Sequence, residues 1–370
     1  MGLTTRSIQP EQEAIPTETA TLDEDRRYQE AILAGVSRTF ALTIPQLPER
    51  LRVVVGNAYL LCRIADTIED SPTLSLDEKR RFCDEFARIV QGDVEPVEFA
   101  RELSRLLTRG TLEAERDLVA HTPRVVRLTR SFRPEERAAL ARCVRIMAGG
   151  MEEFQEGNFQ DGLVDLAHLD AYCYHVAGVV GEMLCELFCA HSEQIARRRE
   201  DLMRLAVSFG QGLQMTNILK DIWDDKGRGV CWLPRSVFAA HGFDLRELGT
   251  RPAHLGYRDG LIELVGIARR HLENALEYTL LIPKEEPGIR RFCLWAIGMA
   301  ILTLQRIRRN PCFASADEVK ISRRSVRLVM LASNAACRSD SALRGLFAVS
   351  AFGLPRAERR GRRGPAEGGQ

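Results

Sequence analysis

The sequence predicts an all-α protein with a single large helical domain. Three observations support this fold class. Apolar residues recur at helical spacing along most of the 370 residues, no alternating strand pattern of useful length occurs, and no Pro- or Gly-rich linker divides the long middle of the chain. We therefore expect one domain over residues 25–350, rather than the two that length alone suggests.

The two ends of the chain differ from this domain in composition. Residues 1–24 are polar and contain two prolines, and residues 351–370 are basic and rich in glycine. Segments with so few apolar residues cannot bury enough surface to offset the entropy lost on ordering. Both ends are therefore predicted to be disordered.

Two helix starts are explicit within the domain. Residues 75–78 (SLDE) match a capping box, and Pro134 suits the first position of a helix. Apolar residues follow each start on one helix face, at Phe82, Phe86, Ile89 and Val90 after the first and at Leu140, Val144, Met147 and Met151 after the second. Residues 325–336 (SVRLVMLASNAA) repeat the pattern near the C-terminus.

Composition excludes several classes of protein. The 52 Lys and Arg against 51 Asp and Glu give no electrostatic case for nucleic-acid binding. Ten cysteines without a CxxC pair predict buried apolar side chains in a reducing, cytoplasmic compartment. The longest apolar run, residues 294–304, is shorter than the roughly 20 residues of a membrane span. We therefore expect no transmembrane helix and a core helix over residues 290–304, with contact to a membrane surface as the alternative.

Acidic and amide side chains form two polar stripes on predicted helices. Asp66 and Asp70 are four residues apart, so they share a helix face, and Glu69 lies beside them. The second stripe has intervals of three, four and four residues and consists of Gln214, Asn217, Asp221 and Asp225. Both stripes are embedded in apolar sequence.

Oxygen ligands in this pattern suit Mg²⁺. A single stripe is more often a solvated helix face, but two stripes within apolar sequence favour a metal site. Magnesium typically bridges protein carboxylates to substrate phosphates, and it makes a diphosphate a good leaving group. The stripes therefore predict two facing helices that hold Mg²⁺ and a diphosphate above an apolar cavity for a hydrocarbon chain.

Five blocks of sequence resemble the squalene/phytoene synthases, the head-to-head prenyl synthases of the all-α isoprenoid synthase fold. They are SRTFA (37–41), YLLCRIADTIED (59–70), GGMEEF (149–154), YCYHVAGVVG (172–181) and GQGLQMTNILKDIWDD (210–225). Three features are more similar to squalene synthases than to phytoene synthases: GMEEF before the tyrosine block, SPTLSLDEKRR after DTIED, and VKISRRSVRLVML (319–331). The resemblance implies a single helical domain with a central cavity.

The resemblance implies a role for each matched residue. The Mg²⁺ ligands would be Asp66, Glu69, Asp70, Asn217, Asp221 and Asp225, whose four aspartates would also be catalytic. The substrate site would be lined by Ser37, Arg38, Phe40, Tyr59, Arg63, Gln214 and Asn217. Tyr172 would lie near the reacting carbons and either orient them or remove a proton.

A second set of residues would bind NADPH, the reductant of the family's reductive members. This set comprises Arg38, Arg63, Lys220, Lys320, Ser322 and Arg323. Lys220 and Ser322 stand where arginine is usual, which puts cofactor use in question more than the first chemical step. Gly210 and Gly212 do not indicate a Rossmann site, because the third glycine and the preceding strand are absent.

The implied reaction has two steps. Two molecules of farnesyl diphosphate condense to presqualene diphosphate, and hydride from NADPH then yields squalene. The alternatives are a phytoene synthase, a presqualene-diphosphate synthase without reduction and, from another class, a non-catalytic helical assembly factor. We expect a monomer, in the cytoplasm or peripherally on a membrane. His175 is predicted to be a hydrogen-bonded structural histidine, and residues 224–234 to be either a lid or a helix-terminating loop.

Overall fold

A computed structural model describes residues 18–356 except positions 38, 109, 158 and 250–253. The predicted all-α class is confirmed, because these residues form nineteen α-helices and no β-strand. A single isolated β-bridge joins Leu163 to Pro234. A π-helical turn, Tyr174–Gly178, and two 3₁₀ helices, Ile44–Gln46 and Leu245–Glu247, complete the regular structure of the described residues.

The helices are numbered in chain order. They are α1 (Glu18–Val36), α2 (Phe40–Thr43), α3 (Glu49–Asp70), α4 (Leu76–Gln91), α5 (Pro96–Leu106), α6 (Glu113–Ala120), α7 (Thr122–Arg130), α8 (Pro134–Glu156), α9 (Leu166–Cys173), α10 (Val179–His191), α11 (Glu193–Ala196), α12 (Arg199–Lys220), α13 (Ile222–Gly227), α14 (Arg235–Ala240), α15 (Leu255–Leu281), α16 (Pro287–Arg309), α17 (Ala316–Val319), α18 (Arg323–Ala336) and α19 (Asp340–Ser350).

One main apolar core joins the long helices. Helix α12 packs against α10, α15 and α16, while α3 packs against α8 and α10. Buried side chains from helices along the whole described chain join this core. The core thus holds α3 and α12, which carry the two polar stripes, in one rigid body.

Close helix packing explains two of the glycines. A Cβ added to Gly210 would lie 2.0 Å from the carbonyl oxygen of Ala177, and one added to Gly181 would lie 2.1 Å from that of Ala206. No side chain fits at such distances, so glycine is required where α12 meets α10 and the π-helical turn. Helix packing thus accounts for Gly210 without a dinucleotide-binding role.

Both predicted helix starts are present. The Ser75 hydroxyl accepts a hydrogen bond from the Glu78 N–H (3.3 Å), and the Glu78 carboxylate accepts one from the Ser75 N–H (2.8 Å). Pro134 is the first residue of α8, and α18 covers the apolar pattern near the C-terminus.

The folded domain extends beyond the predicted limits of 25 and 350. Helix α1 begins at Glu18 rather than after residue 24, and its buried Asp25 accepts a hydrogen bond from Arg127 on α7 (2.7 Å). At the other end, Ala351 and Leu354 are buried in the core instead of forming part of a tail. Residues 1–17 and 357–370, the rest of the predicted disordered ends, lie outside the described residues.

Cysteine burial follows the prediction except at one position. All ten cysteines are free thiols, and nine are buried or half-buried, whereas Cys312 is exposed. Two helical segments, Leu166–His191 and Pro287–Arg309, are long and apolar enough to span a membrane by length and composition. In the second segment, 67% of the most apolar stretch of 18 residues is buried within the fold, which supports the predicted core helix over residues 290–304.

Candidate active site

The two acidic stripes lie at the C-terminal ends of α3 and α12. Asp66 and Asp70 occupy the last turns of α3, with Glu69 between them. The second stripe is bent, because α12 ends at Lys220 and α13 begins at Ile222. The Asp225 N–H nevertheless donates to the Asp221 carbonyl (2.9 Å), so these two acids remain one turn apart. The sequence pattern did not predict this bend.

Arg228 connects the two stripes. Its guanidinium lies 3.5 Å from a carboxylate oxygen of Asp70 and 2.5 Å from one of Asp225. Residues 155 positions apart in the chain therefore face each other across a gap that one guanidinium spans. Sequence reasoning missed Arg228, whose only signal was its position in the Gly-rich segment after the second stripe.

Burial raises the pKa of three acids at this site. The pKa of Asp66 and that of Asp225 rise to about 6, chiefly because burial disfavours the charged form. The pKa of Glu69 rises to about 8 through burial and the neighbouring charges of Asp66 and Asp70. Carboxylates that are costly to ionise among their protein neighbours are suited to a bound cation, which removes this cost.

The carboxylate and amide oxygens of the two stripes are ligands that suit a hard cation, but they do not form a complete metal site on their own. Among the described residues, no group of three His, Cys, Asp or Glu side chains stands close enough to hold a metal ion by itself. The oxygen donors lie instead on two opposed walls. Magnesium bound through one or two carboxylates and completed by substrate phosphates needs this arrangement rather than an all-protein cage.

Arg63 links the first stripe to the predicted substrate residues. Its guanidinium donates to the Tyr59 hydroxyl (2.9 Å) and lies 3.8 Å from carboxylate oxygens of both Asp66 and Glu115. Glu115, from α6, is a further residue that the sequence did not reveal. Tyr59 in turn donates to the Val36 carbonyl (2.9 Å) and packs against the ring of Phe40.

The remaining substrate residues are placed as follows. Ser37 is buried, and its hydroxyl accepts from the Phe40 N–H (2.9 Å). Gln214 is half-buried on α12, while Asn217 is exposed one turn before Asp221. Arg38, predicted for both substrate and cofactor, lies outside the described residues.

Tyr172 lies in an aromatic cluster beside the acids. Its ring stacks on Trp232 (centroids 3.9 Å apart, 11° between planes) and meets Phe154 edge-on at 5.2 Å. Burial and the nearby Glu69 carboxylate raise the pKa of Tyr172 well above its ordinary value. The hydroxyl therefore stays protonated near neutral pH.

A narrow cleft stands where the apolar cavity was predicted. Glu69, Phe154, Tyr172 and His175 are among its lining residues, and its free volume of about 10 Å³ holds no more than one water. Tyr172, which stacks on Trp232, lines this cleft, and the cleft as it stands is too small for a hydrocarbon chain. His175 binds the Ala171 carbonyl through Nδ1 (3.0 Å), as expected for a structural histidine.

Residues 224–234 were predicted to be either a lid or a helix-terminating loop. Helix α13 ends within them, and residues 228–232 also contact the acids and Tyr172. Helix α13 ends at Gly227, and Gly229 has the left-handed backbone (φ +82°) that favours glycine. The same segment then places Arg228 between the stripes and Trp232 on Tyr172. The Cys231 N–H donates to the Phe159 carbonyl (2.9 Å) and fixes the segment over the cleft.

The basic residues predicted for NADPH are divided between two places. Lys220 lies 2.7 Å from the Asp221 carboxylate. Lys320 donates to Asp317 (3.2 Å), Ser322 caps α18, and Arg323 is the exposed first residue of that helix. The Trp223 indole donates to the Phe313 carbonyl (2.6 Å), and α17 packs on α13. These contacts bring the segment with Lys320, Ser322 and Arg323 toward the second stripe.

Known proteins are similar to this chain in sequence. The family model described as squalene/phytoene synthase matches residues 33–325. The chain is 31% identical over 320 residues to squalene synthase BSS of Botryococcus braunii, covering 84% of this chain and 65% of that protein. It is 28% identical over 297 residues to squalene synthase ERG9 of Gibberella zeae, covering 80% and 60%. The chain thus spans less than two thirds of the length of these two relatives.

Solved structures show the same fold. A complex of TcSQS with the ligand BPH1237 superposes with a TM-score of 0.72 at 24% identity, covering 89% of this chain and 92% of the other. A dehydrosqualene synthase in complex with a ligand gives a TM-score of 0.63 at 21% identity, covering 87% and 100%. The predicted isoprenoid synthase fold is confirmed.

Proposed function

Because the chain belongs to the squalene/phytoene synthase family, we propose that it is a squalene synthase. Two molecules of farnesyl diphosphate are joined head to head, with loss of one diphosphate and one proton, to give presqualene diphosphate. A hydride from NADPH then replaces the second diphosphate and yields squalene. The observation that carries this proposal is the pair of acidic stripes facing each other across Arg228, next to the ring of Tyr172.

The acidic residues would hold Mg²⁺ on both walls of the site. The first wall offers Asp66, Glu69 and Asp70, and the second offers Asn217, Asp221 and Asp225. When bound, the metal neutralises the diphosphate and makes it a better leaving group. Asp66 and Asp225, with pKa values of about 6, are mostly ionised above neutral pH and so are available as ligands there.

The chain's own cations complete the diphosphate site. Arg63 stands beside Asp66, Lys220 beside Asp221, and Arg228 between Asp70 and Asp225. Each can turn from its carboxylate partner to donate a hydrogen bond to a phosphate oxygen once the acids are neutralised. We assign these three residues to orienting the diphosphate and stabilising its developing charge.

Aromatic side chains would hold the reacting carbons. The faces of Trp232 and Tyr172 stabilise an allylic cation through cation–π attraction in a site that excludes water. Since Tyr172 keeps its proton, we assign it the orientation of the reacting carbons rather than proton removal. The aromatic cluster must open to admit a farnesyl chain, because the cleft that Tyr172 lines has room for no more than about one water.

The reductive half of the reaction is supported by the position of the basic segment around α17 and α18. Lys320, Ser322 and Arg323 follow α17, which packs on α13. With Arg63, Lys220 and Arg38 they would bind the phosphates of NADPH, although two positions lack the usual arginine. We further propose that the protein acts as a cytoplasmic monomer with peripheral membrane contact.

The experiment is product analysis with the purified full chain. Farnesyl diphosphate and Mg²⁺ alone should give presqualene diphosphate, and added NADPH should convert the product to squalene. Asp70→Asn should abolish both products, while Asp77→Asn, on an exposed carboxylate of α4, should abolish neither.

Each alternative predicts a different result. A product unchanged by NADPH would reduce the function to presqualene-diphosphate synthesis. Turnover restricted to geranylgeranyl diphosphate would indicate a phytoene synthase. No Mg²⁺-dependent diphosphate release from any prenyl diphosphate would indicate the non-catalytic assembly factor.

A further inference from the structure

The last two helices and the residues directly after them expose four large apolar side chains. Leu328 and Leu331 on α18 are 66% and 68% exposed, and Val349 and Phe352 at the end of α19 are 76% and 84% exposed. We call these four residues the C-terminal apolar surface. They are four of the ten large apolar side chains recorded as exposed in the described part of the chain, yet they fall within 25 residues. This concentration separates them from scattered surface leucines, which need no explanation.

The rest of the fold covers one side of α18 and α19 and leaves the other side exposed. They pack on each other and on α16, but Ser333 is the one buried residue of α18 and Leu343 the one buried residue of α19. Leu328, Leu331 and Val349 are thus large apolar side chains on the uncovered side of these helices, which indicates that something else covers them.

The charge around this surface identifies the partner. Residues 320–356 contain 7 Lys and Arg against 1 Asp and no Glu, whereas residues 1–319 contain 41 Lys and Arg against 48 Asp and Glu. Arg324 and Arg327 are exposed one turn before Leu328 and Leu331 on α18, a helix without acidic residues. A basic, apolar helix face suits the boundary between anionic headgroups and acyl chains.

We propose that the C-terminal apolar surface docks α18 and α19 on an anionic phospholipid membrane. Leucine and phenylalanine side chains enter the acyl boundary, and the arginines pair with lipid phosphates. A second copy of the chain is a poorer partner, because a two-fold contact would set this basic face against itself. This proposal rests on the peripheral membrane contact proposed above and identifies the residues that make it. Its test measures lipid binding rather than product, so the docking and the synthase activity can fail separately.

The experiment is flotation of the full chain with vesicles of neutral phosphatidylcholine and with vesicles containing 30% phosphatidylglycerol (a composition of roughly one anionic lipid in three). The protein should bind the anionic vesicles and bind the neutral ones at least about fivefold less, since each arginine near the surface contributes about that factor. Leu328→Ser with Leu331→Ser should weaken binding to anionic vesicles at least about tenfold.

Matched controls separate this surface from general effects. Leu112→Ser with Leu255→Ser removes two leucines that are 63% and 70% exposed elsewhere, and this variant should bind like the unaltered chain. Deletion of residues 357–370 should reduce binding without abolishing it. Equal thermal unfolding of all variants would show that folding is intact.

Three results of the binding assay would overturn the proposal. These are equal binding to neutral and anionic vesicles, unchanged binding of the Leu328/Leu331 variant, and loss of all binding on tail deletion alone. A dimer in light scattering that the Leu328/Leu331 variant converts to a monomer would also overturn it, by identifying a second copy as the cover.

Discussion

Replacing Asp225 by asparagine should stabilise the protein while destroying its activity. The side chain of Asp225 is 9% exposed, and burial raises its pKa from 3.8 to about 6 even beside Arg228. The folded state therefore binds more protons than the unfolded state between these two values, and stability falls as pH rises through this interval. The ionised carboxylate is thus a local cost of keeping the site ready for a cation.

The magnitude follows from the interval. At about 1.4 kcal/mol per pH unit, the span from 3.8 to about 6 corresponds to about 3 kcal/mol above pH 7. Asparagine stays neutral and has nearly the same shape, so Asp225→Asn should be about 3 kcal/mol more stable than the unaltered chain at pH 8. Near pH 4.5 the gain should shrink to about 1 kcal/mol, because the folded Asp225 is then mostly protonated.

The assay is thermal unfolding at pH 8 and pH 4.5 without Mg²⁺. A gain of about 3 kcal/mol raises the melting temperature by about 4 °C in a domain of this length. Asp77→Asn serves as the control, because that carboxylate is exposed and its replacement should change stability by less than about 0.5 kcal/mol. A stability gain that does not grow with pH, or a loss at both pH values, would contradict a buried, costly carboxylate.

Three further variants test other parts of the site and fold. Arg228→Gln should raise the KM for farnesyl diphosphate at least about tenfold. It should also destabilise the fold at pH 8 by about 1 kcal/mol or more, because the buried Asp225 carboxylate loses its guanidinium partner. An unchanged KM would remove Arg228 from the diphosphate site. Tyr172→Phe keeps the stack on Trp232 and should lower kcat at least about tenfold with little change in melting temperature; full activity would refute a role for the hydroxyl. Gly210→Ala should destabilise the fold by about 3 kcal/mol or more. Its control, Gly149→Ala, lies at a helical position with free space and should be neutral or stabilising by up to about 1 kcal/mol. Equal melting temperatures of the two variants would refute the close packing at Gly210.

The parts of the site that could be predicted were those encoded by local spacing. A helix repeats every 3.6 residues, so intervals of three and four residues place Asp66 with Asp70 and Asp221 with Asp225 regardless of the rest of the chain. The same periodicity, with a capping box at Ser75 and a proline at the start of α8, was sufficient to assign the fold class. These features depend on residues within a few turns of one another.

The parts that could not be predicted depend on which distant segments meet. Packing of the helices brings the end of α3 opposite α13, which lets Arg228 span Asp70 and Asp225. The ring of Trp232 reaches Tyr172 in the same way, across 60 positions of sequence.

Amino-acid order by itself determined an α-helical chain with two oxygen-bearing faces, because helix geometry is a property of neighbouring residues. Tertiary structure alone decided that these faces oppose each other, that the helix is interrupted at Asp221 between α12 and α13, and that burial raises the pKa of Glu69 to about 8. Desolvation and through-space charge depend on the whole packed molecule, and a linear pattern carries neither.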